Sequence, residues 1–182
     1  MEYRRETARG PLAIRPIRAE DAPAFRDLRL DAFKRHPGIF YGVSYVEQLA
    51  KPFSHWHEQV QRGLDGRRGM IFIATAGEAL VGVLALERDD TPQFRHNGRI
   101  WHVYVRAEWR GLGLADALIE ACVAWAQQEH IHMLRLSVAA NNSTAIRCYA
   151  RQGFAVYGVE QEIGYHQGSY VDELLMARRV VP

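Results

Sequence analysis

The stretch VRAEWRGLGLADALIE, residues 105–120, places Arg110, Gly111 and Gly113 between two apolar segments. The residues before the turn alternate as in a strand, and those after it recur at helical spacing. The first N–H groups of a helix lack intrahelical partners and the helix dipole is positive there, so such a turn can bind an anion. Glycines let a diphosphate approach these N–H groups closely. From the residues alone, the glycines are equally compatible with a simple turn.

Two common phosphate-binding motifs do not match this turn. Asp116 stands where the dinucleotide fingerprint G-x-G-x-x-G requires its third glycine. The P-loop of nucleoside triphosphatases requires Gly-Lys-Ser/Thr after its glycines, and this tripeptide does not follow the turn here. The stretch therefore indicates a different diphosphate ligand.

A second block, LSVAANNSTAIRCYARQGF at residues 136–154, follows in a strand–helix context. Together the two blocks resemble the GNAT superfamily of acyl-CoA-dependent N-acetyltransferases. The family signature Arg/Gln-x-x-Gly-x-Gly/Ala matches at Arg110, Gly113 and Ala115. Its second pattern matches at Val138, Asn142, Ala145, Tyr149, Gly153 and Phe154. The resemblance extends to residues 13–33 and 170–180, while 36–66 and 155–168 match only loosely.

The resemblance implies acetyl-CoA as co-substrate, with its pyrophosphate on the backbone N–H groups of the glycine turn and its pantetheine arm along the preceding strand. The implied cofactor-binding residues are Val103, Val105, Arg110, Gly111, Leu112, Gly113, Leu114, Ala115, Asn142 and Tyr149. The Arg110 side chain either contacts a phosphate or is a solvated turn residue.

Acetyl transfer from a thioester to an amine needs a polarised carbonyl, a protonated leaving thiolate and a neutral amine. By resemblance, the backbone N–H of Val103 polarises the carbonyl and Tyr149 is the general acid for the thiolate. The alternative for Tyr149 is a core aromatic residue. Asn142 fits both a helix N-cap and a cofactor contact.

The sequence does not single out one general base that would deprotonate the acceptor amine. Regular alternation puts Trp101 and Arg99 on the face of Val103, and His102 on the other face. A bulge would exchange the faces locally. A histidine side chain ordinarily titrates near neutral pH, so His102 is a candidate base, although the sequence favours a buried, hydrogen-bonded core histidine. We expect a water relay, with Glu162 or Glu47 as remote alternatives.

The acceptor is expected to meet the segment HPGIFYGVSYVEQ, residues 36–48. Its Phe40, Tyr41, Tyr45 and Glu47 would form an aromatic wall with one carboxylate, suited to a cationic or aromatic amine. They could equally close the core. The leading interpretation is acetylation of a small-molecule primary amine. Acetylation of a protein N-terminus or lysine, and a non-catalytic acyl-CoA-binding sensor, are the alternatives.

The elements that must position these residues follow the order β, helices, β, β, β, α, β, α, β, β. This order predicts an α/β fold, and with the resemblance a GNAT-type mixed, mostly antiparallel central sheet of about seven strands flanked by about four helices. We expect one domain over residues 1–182, with residues 1–10 as a flexible extension.

The composition is that of an ordinary soluble globular protein. The 182 residues carry a formal charge of +2, which gives no reason to expect nucleic acid, and no apolar run suggests a membrane span. Cys122 and Cys148 form no disulfide framework and no signal peptide is recognisable, so a cytoplasmic protein is expected. The triplets HWH at 55–57 and HIH at 130–132 lack a third ligand, so we predict no metal. The resemblance leaves homodimerisation open.

Overall fold

The computed structural model describes residues 2–40, 42–64, 66–88 and 90–180 of the chain. Within these ranges the strands are β1 (Tyr3–Thr7), β2 (Gly10–Pro16), β3 (Gly69–Ala76), β4 (Ala79–Arg88), β5 (Asn97–Val105), β6 (Met133–Ala139), β7 (Ala155–His166) and β8 (Ser169–Arg179). The helices are α1 (Ala22–Arg35), α2 (Tyr45–Leu49), α3 (Phe53–Arg62), α4 (Leu114–Gln128) and α5 (Ser143–Arg151). None of the helices in the described ranges has the length and apolar composition needed to span a bilayer.

The eight strands of the described chain form one sheet in the order β1-β2-β3-β4-β5-β6-β8-β7. Neighbouring strands are antiparallel except for β5 and β6, which are parallel. These two strands pair only where Asn97–Arg99 meet Met133–Arg135. Their remaining residues have no partner in the other strand, so the sheet is open between the C-terminal halves of β5 and β6. The predicted mixed, mostly antiparallel α/β fold is confirmed.

The sheet separates two apolar cores. Helix α4 buries Leu118 and Cys122 against one face, and α1 buries Phe25 and Phe33 in the core on the other. These positions repeat every four residues, which keeps them on one side of each helix. Strand β3 contributes to both cores and is buried almost throughout, which explains its continuous apolar sequence.

The N-terminal segment and the helix count differ from expectation. Residues expected to be a flexible extension instead form β1, which pairs with β2 across a turn at Ala8 and Arg9 that leads into Gly10 (φ 102°). Most of β1 is exposed, so backbone hydrogen bonds rather than an apolar pattern define it, and its residues show no hydrophobic periodicity that would predict a strand. Pro52 separates α2 from α3, and this accounts for five helices where about four were expected.

An ion pair fixes the start of α1. The Asp21 carboxylate accepts hydrogen bonds from two nitrogens of Arg15 at 2.7 and 2.8 Å, and a third from the Arg18 N–H at 2.7 Å. Burial alone would raise the pKa of Asp21, but these bonds together outweigh it and the pKa is lowered. Asp21 occupies the N-cap position without bonding the helix N–H groups. The pair thereby ties α1 to the end of β2.

Candidate active site

A cavity of about 1110 Å³ lies where β5 and β6 separate. Its wall includes the glycine turn at Gly113, residues His102 and Val103 of β5, and Asn142 and Tyr149 near α5. These residues come from three separate segments of the chain. The fold therefore brings most of the predicted cofactor and catalytic residues into one space.

The two glycines of the turn adopt backbone conformations that other residues rarely take. Gly111 has φ 76° and Gly113, the N-cap of α4, has φ 74°. The wall continues with Leu114 and Ala115 in the first turn of α4, whereas Leu112 does not line the cavity. The free N–H groups of this helix end therefore lie at the cavity, as an anion site requires.

An acidic side chain beside this anion site is neutralised by its neighbours. Asp116 receives hydrogen bonds from Arg151 and Gln152, each at 3.1 Å. Burial opposes ionisation of Asp116, but the hydrogen bonds from Gln152 and Arg151 leave its pKa lowered. Because the carboxylate is already paired with a cation, it adds little repulsion toward a phosphate at the turn.

Two arginines flank the turn differently from expectation. The Arg110 side chain points back, donating to the Val105 carbonyl at 3.1 Å and approaching His36 Nε2 at 2.7 Å. Its contact with a phosphate stays a prediction. Arg5 of β1 donates to the Gly113 carbonyl at 3.3 Å. Sequence reasoning missed Arg5 because residues 1–10 were expected to be flexible.

Strand β5 contains a bulge beside the cavity. His102 and Val103 together oppose the single residue Leu84 of β4. As a result, Ile100 and Val103 pack against the same core although they are an odd number of residues apart. The expectation that Trp101 shares a face with Val103 is therefore wrong. The extra residue of a bulge leaves backbone groups outside the ladder, which makes an N–H here available to a thioester carbonyl.

The bulge also sets the environment of His102, whose φ is 56°. His102 is exposed on the cavity wall, and protein atoms are packed around it. These surroundings, and next the positive charge of Arg29, lower the pKa of His102 well below its ordinary value. His102 is therefore uncharged at neutral pH.

Tyr149 is buried in the cavity wall and packs edge-on against Phe154, with ring centroids 6.1 Å apart. Its hydroxyl has no hydrogen bond to another side chain in the described part of the protein. Burial, and then the neighbouring Cys148, raise the pKa of Tyr149, so the phenol keeps its proton. Asn142 Oδ1 accepts from the Ala145 N–H at 3.2 Å, so Asn142 caps α5 while also lining the cavity.

The four predicted acceptor residues do not form one wall. Phe40 lines the cavity, whereas Tyr45 and Glu47 do not, and Glu47 is exposed on α2. Tyr41 lies outside the described residues. The Phe40 ring already faces a cation of the protein itself, because the Arg29 Cζ atom is 5.6 Å from its centroid.

Sequence reasoning missed several charged residues on the cavity wall, and two of them, Arg29 and Glu173, lie on elements far from the glycine turn. Arg29 occupies a buried position of α1, and Glu173 of β8 lies opposite Ala139 at the end of β6. A signal existed for Arg29, which stands four residues from both Phe25 and Phe33 in an apolar stripe. No comparable sequence signal existed for Glu173, because its position at the cavity depends on the pairing of β8 with β6.

The two histidines of the triplet HWH have local partners on the same helix. His55 lies 2.7 Å from Gln59 and His57 lies 3.3 Å from Gln61 along α3. Over the described ranges, no three His, Cys, Asp or Glu side chains converge into a potential metal site.

A sheet opened between two parallel strands, with a helix N-terminus and a protonated phenol on one cavity, matches the arrangement that the resemblance to acyl-CoA-dependent acyltransferases implies. Residues 22–154 match the profile of the Acetyltransferase (GNAT) family. The chain therefore belongs to the GNAT family. It is an acetyltransferase, and its acyl donor is acetyl-CoA.

Similar proteins agree with this assignment. The L-amino acid N-acetyltransferase AaaT of Escherichia coli is 30% identical over 137 residues, covering 72% of this chain and 80% of that protein. A GNAT-family acetyltransferase from Streptococcus pneumoniae superposes with a TM-score of 0.82 at 20% identity, over 93% of this chain and 99% of that one. YncA of Salmonella typhimurium, described as a putative acetyltransferase with its cofactor acetyl-CoA, has a TM-score of 0.75 at 20% identity, over 94% and 95%.

Proposed function

We propose that this enzyme transfers the acetyl group of acetyl-CoA directly to the primary amine of a small molecule. The observation that carries the proposal is one cavity in the open part of the sheet, lined by the glycine turn, the β5 bulge and Tyr149. Its volume of about 1110 Å³ suits the acyl end of a cofactor together with a small acceptor. The relative from Escherichia coli, which is named for acetylating L-amino acids, supports a small acceptor.

The proposed chemistry uses groups on opposite sides of the thioester. The N–H of Val103 at the bulge donates to the thioester carbonyl and stabilises the negative charge that forms on its oxygen. The amine nitrogen attacks the carbonyl carbon, and the C–S bond breaks as the tetrahedral intermediate collapses. Tyr149 donates its proton to the departing sulfur, which leaves as the thiol of coenzyme A.

The amine must lose a proton in the same reaction. A base is most effective when its pKa is near the working pH, and the lowered pKa of His102 makes it a weak proton acceptor. We therefore propose that the proton leaves through water in the cavity. The Glu173 carboxylate on the cavity wall is the proposed final acceptor.

Thermal denaturation with saturating ligand tests acetyl-CoA binding. A ligand at about 100 times its Kd adds about 2.7 kcal/mol, which raises the Tm of a protein of this size by about 5–11 °C. ATP and NAD are the controls and should give no shift. Release of free thiol from acetyl-CoA is then measured against small primary amines and against peptides with free N-termini or lysines. Turnover of peptides alone would contradict a small-molecule acceptor, and binding without any turnover would indicate a sensor.

A further inference from the structure

Arg29 is a buried charge on the cavity wall, and no carboxylate in the described part of the chain forms an ion pair with it. Only 1% of the residue is exposed, and it lies in the apolar stripe of α1 between Phe25 and Phe33. Its Nε and Nη1 atoms are buried without a hydrogen-bond partner among the described residues. Buried arginines are ordinarily paired, so this one requires an explanation.

Two aromatic rings cover the faces of the Arg29 guanidinium, but they provide no hydrogen-bond acceptor for the N–H groups at its edge. The Cζ atom is 4.5 Å from the centroid of Phe33 and 5.6 Å from that of Phe40. Cation–π contacts stabilise the charge through the ring faces. They supply no acceptor oxygen in the plane of the guanidinium, where its five N–H groups point.

The acidic residues of the same helix are engaged elsewhere. Asp31 accepts from Arg35 at 2.6 Å and from the Tyr104 hydroxyl at 2.8 Å, and Asp27 pairs with Arg26 at 3.4 Å. Burial lowers the pKa of Arg29 to about 9, so it remains a cation at neutral pH. Among the residues that the structure describes, the fold thus holds a positive charge at the cavity wall to which no carboxylate is bonded.

We propose that Arg29 binds the carboxylate of the acceptor, so that the substrates are amines that also carry a carboxylate. The guanidinium edge matches a carboxylate through two parallel hydrogen bonds. Rotation about the terminal torsions of this long side chain turns that edge into the cavity. A carboxylate held on α1 orients the amine of the same molecule toward the thioester between Val103 and Tyr149. This inference rests on the proposed function and specifies its substrate class.

The aromatic segment has a different role in this scheme from the one that its sequence suggests. Instead of receiving a cationic acceptor, the Phe40 ring stacks on the Arg29 guanidinium and orients the cation that receives an anion. Acceptors with a second positive charge in place of the carboxylate are repelled by Arg29. In this scheme the enzyme supplies the cation, which is Arg29, and the substrate supplies the anion, which is its carboxylate.

Matched acceptors test the inference directly. Amino acids with apolar, polar and aromatic side chains are each compared with their amides and their decarboxylated amines, for example leucine, leucinamide and 3-methylbutylamine, at saturating acetyl-CoA. Two charge-assisted hydrogen bonds predict a kcat/KM about 100-fold or more higher for the acid than for its amide. In Arg29→Met this preference should fall below about fivefold, through loss of activity on the acid alone.

Arg26→Met is the matched control, because Arg26 lies on the same helix and does not line the cavity. It should keep the full preference for the acid. Arg29→Met should melt at or above the wild-type Tm, since it removes an unpaired buried charge. A lower Tm with an unchanged acid preference would identify a structural role for Arg29 and overturn the inference.

A binding measurement separates this inference from the proposed function. In the presence of coenzyme A, N-acetyl amino acids should raise the Tm of the wild type and not that of Arg29→Met, whereas the corresponding N-acetyl amides should have no effect. If no amine is acetylated but this carboxylate-dependent shift occurs, the proposed function is wrong and the anion site remains. If amides and decarboxylated amines are acetylated as fast as the acids, the function stands and the inference is wrong.

Discussion

Replacing Tyr149 by phenylalanine removes one hydroxyl from the cavity and keeps the ring. The ring continues to pack on Phe154 at a centroid distance of 6.1 Å. Because no described side chain bonds the Tyr149 hydroxyl, the substitution leaves no buried partner unsatisfied. The free energy of unfolding should therefore change by less than about 0.5 kcal/mol, and any loss of activity reports on chemistry.

The size of the kinetic loss follows from the proton that Tyr149 supplies. General acid catalysis contributes about 10²–10⁴-fold in rate, which corresponds to about 2.7–5.5 kcal/mol. A thiol has an ordinary pKa near 8.5, so its thiolate is a better leaving group than an alkoxide and needs less help. We therefore expect kcat of Tyr149→Phe to fall by about 100-fold at pH 7.

The dependence on pH provides a second readout. Burial raises the pKa of Tyr149 above that of a free phenol, so the wild type keeps its acid throughout the usual assay range. As the pH rises above the pKa of the coenzyme A thiol, the thiolate can leave without receiving a proton. The loss of kcat in Tyr149→Phe relative to the wild type should therefore become smaller.

The assay is release of coenzyme A thiol at saturating acetyl-CoA from pH 6 to 9, with circular dichroism to check folding. Tyr157→Phe, at an exposed position of β7, is the matched control and should behave as wild type. A kcat within threefold of wild type at pH 7, with an unchanged pH profile, would refute the role of Tyr149 as acid.

Three further predictions concern the turn, the ion pair and the thiol. Gly113→Ala should weaken acetyl-CoA binding at least about tenfold, because φ is 74° and the new Cβ would lie 3.0 Å from Arg5. Calorimetry of acetyl-CoA binding checks this, with Gly77→Ala (φ 57°, open space) as control. Equal acetyl-CoA affinities of Gly113→Ala and the wild type would contradict it. Asp21→Asn should lower the free energy of unfolding at pH 7 by about 1–3 kcal/mol. Because the folded-state pKa of Asp21 is lowered, its stabilisation is present above the unfolded pKa and is lost as the pH falls through the folded pKa. Urea unfolding should therefore show the difference shrinking below about pH 4, and a constant difference would argue against the pair. Cys148→Ala should retain kcat within about threefold, since burial raises the thiol pKa to about 11 and leaves little thiolate. An isolable acetyl-enzyme in the wild type would show that this is wrong.

Local spacing predicted much of the fold and part of the site. Gly111 and Gly113 lie within a single strand–helix transition, and Asn142 and Tyr149 lie within two turns of one helix. Such features depend on backbone conformation and helical period over a few consecutive residues. The local spacing of residue types is therefore enough to predict them. The mixed sheet followed from the order of these elements.

Features that depend on contacts between distant residues could not be predicted in this way. The bulge at His102 and Val103 depends on the register of β5 against β4, and one extra residue exchanges the faces of the strand. Arg5 reaches Gly113 across 108 residues of chain. That Arg29 lacks a counter-ion on its own helix could be recognised only in the tertiary structure, where Asp27 pairs with Arg26 and Asp31 bonds Arg35 and Tyr104.

The sequence by itself determined the order of the strands from β2 onwards, the glycine turn before α4 and the positions of Tyr149 and Asn142, because each depends on residues close together in the chain. The tertiary structure decided which charges face the cavity and which of them are left unpaired. Electrostatic pairing and burial depend on distances in space, and those distances are set only when the sheet, α1 and β8 pack together.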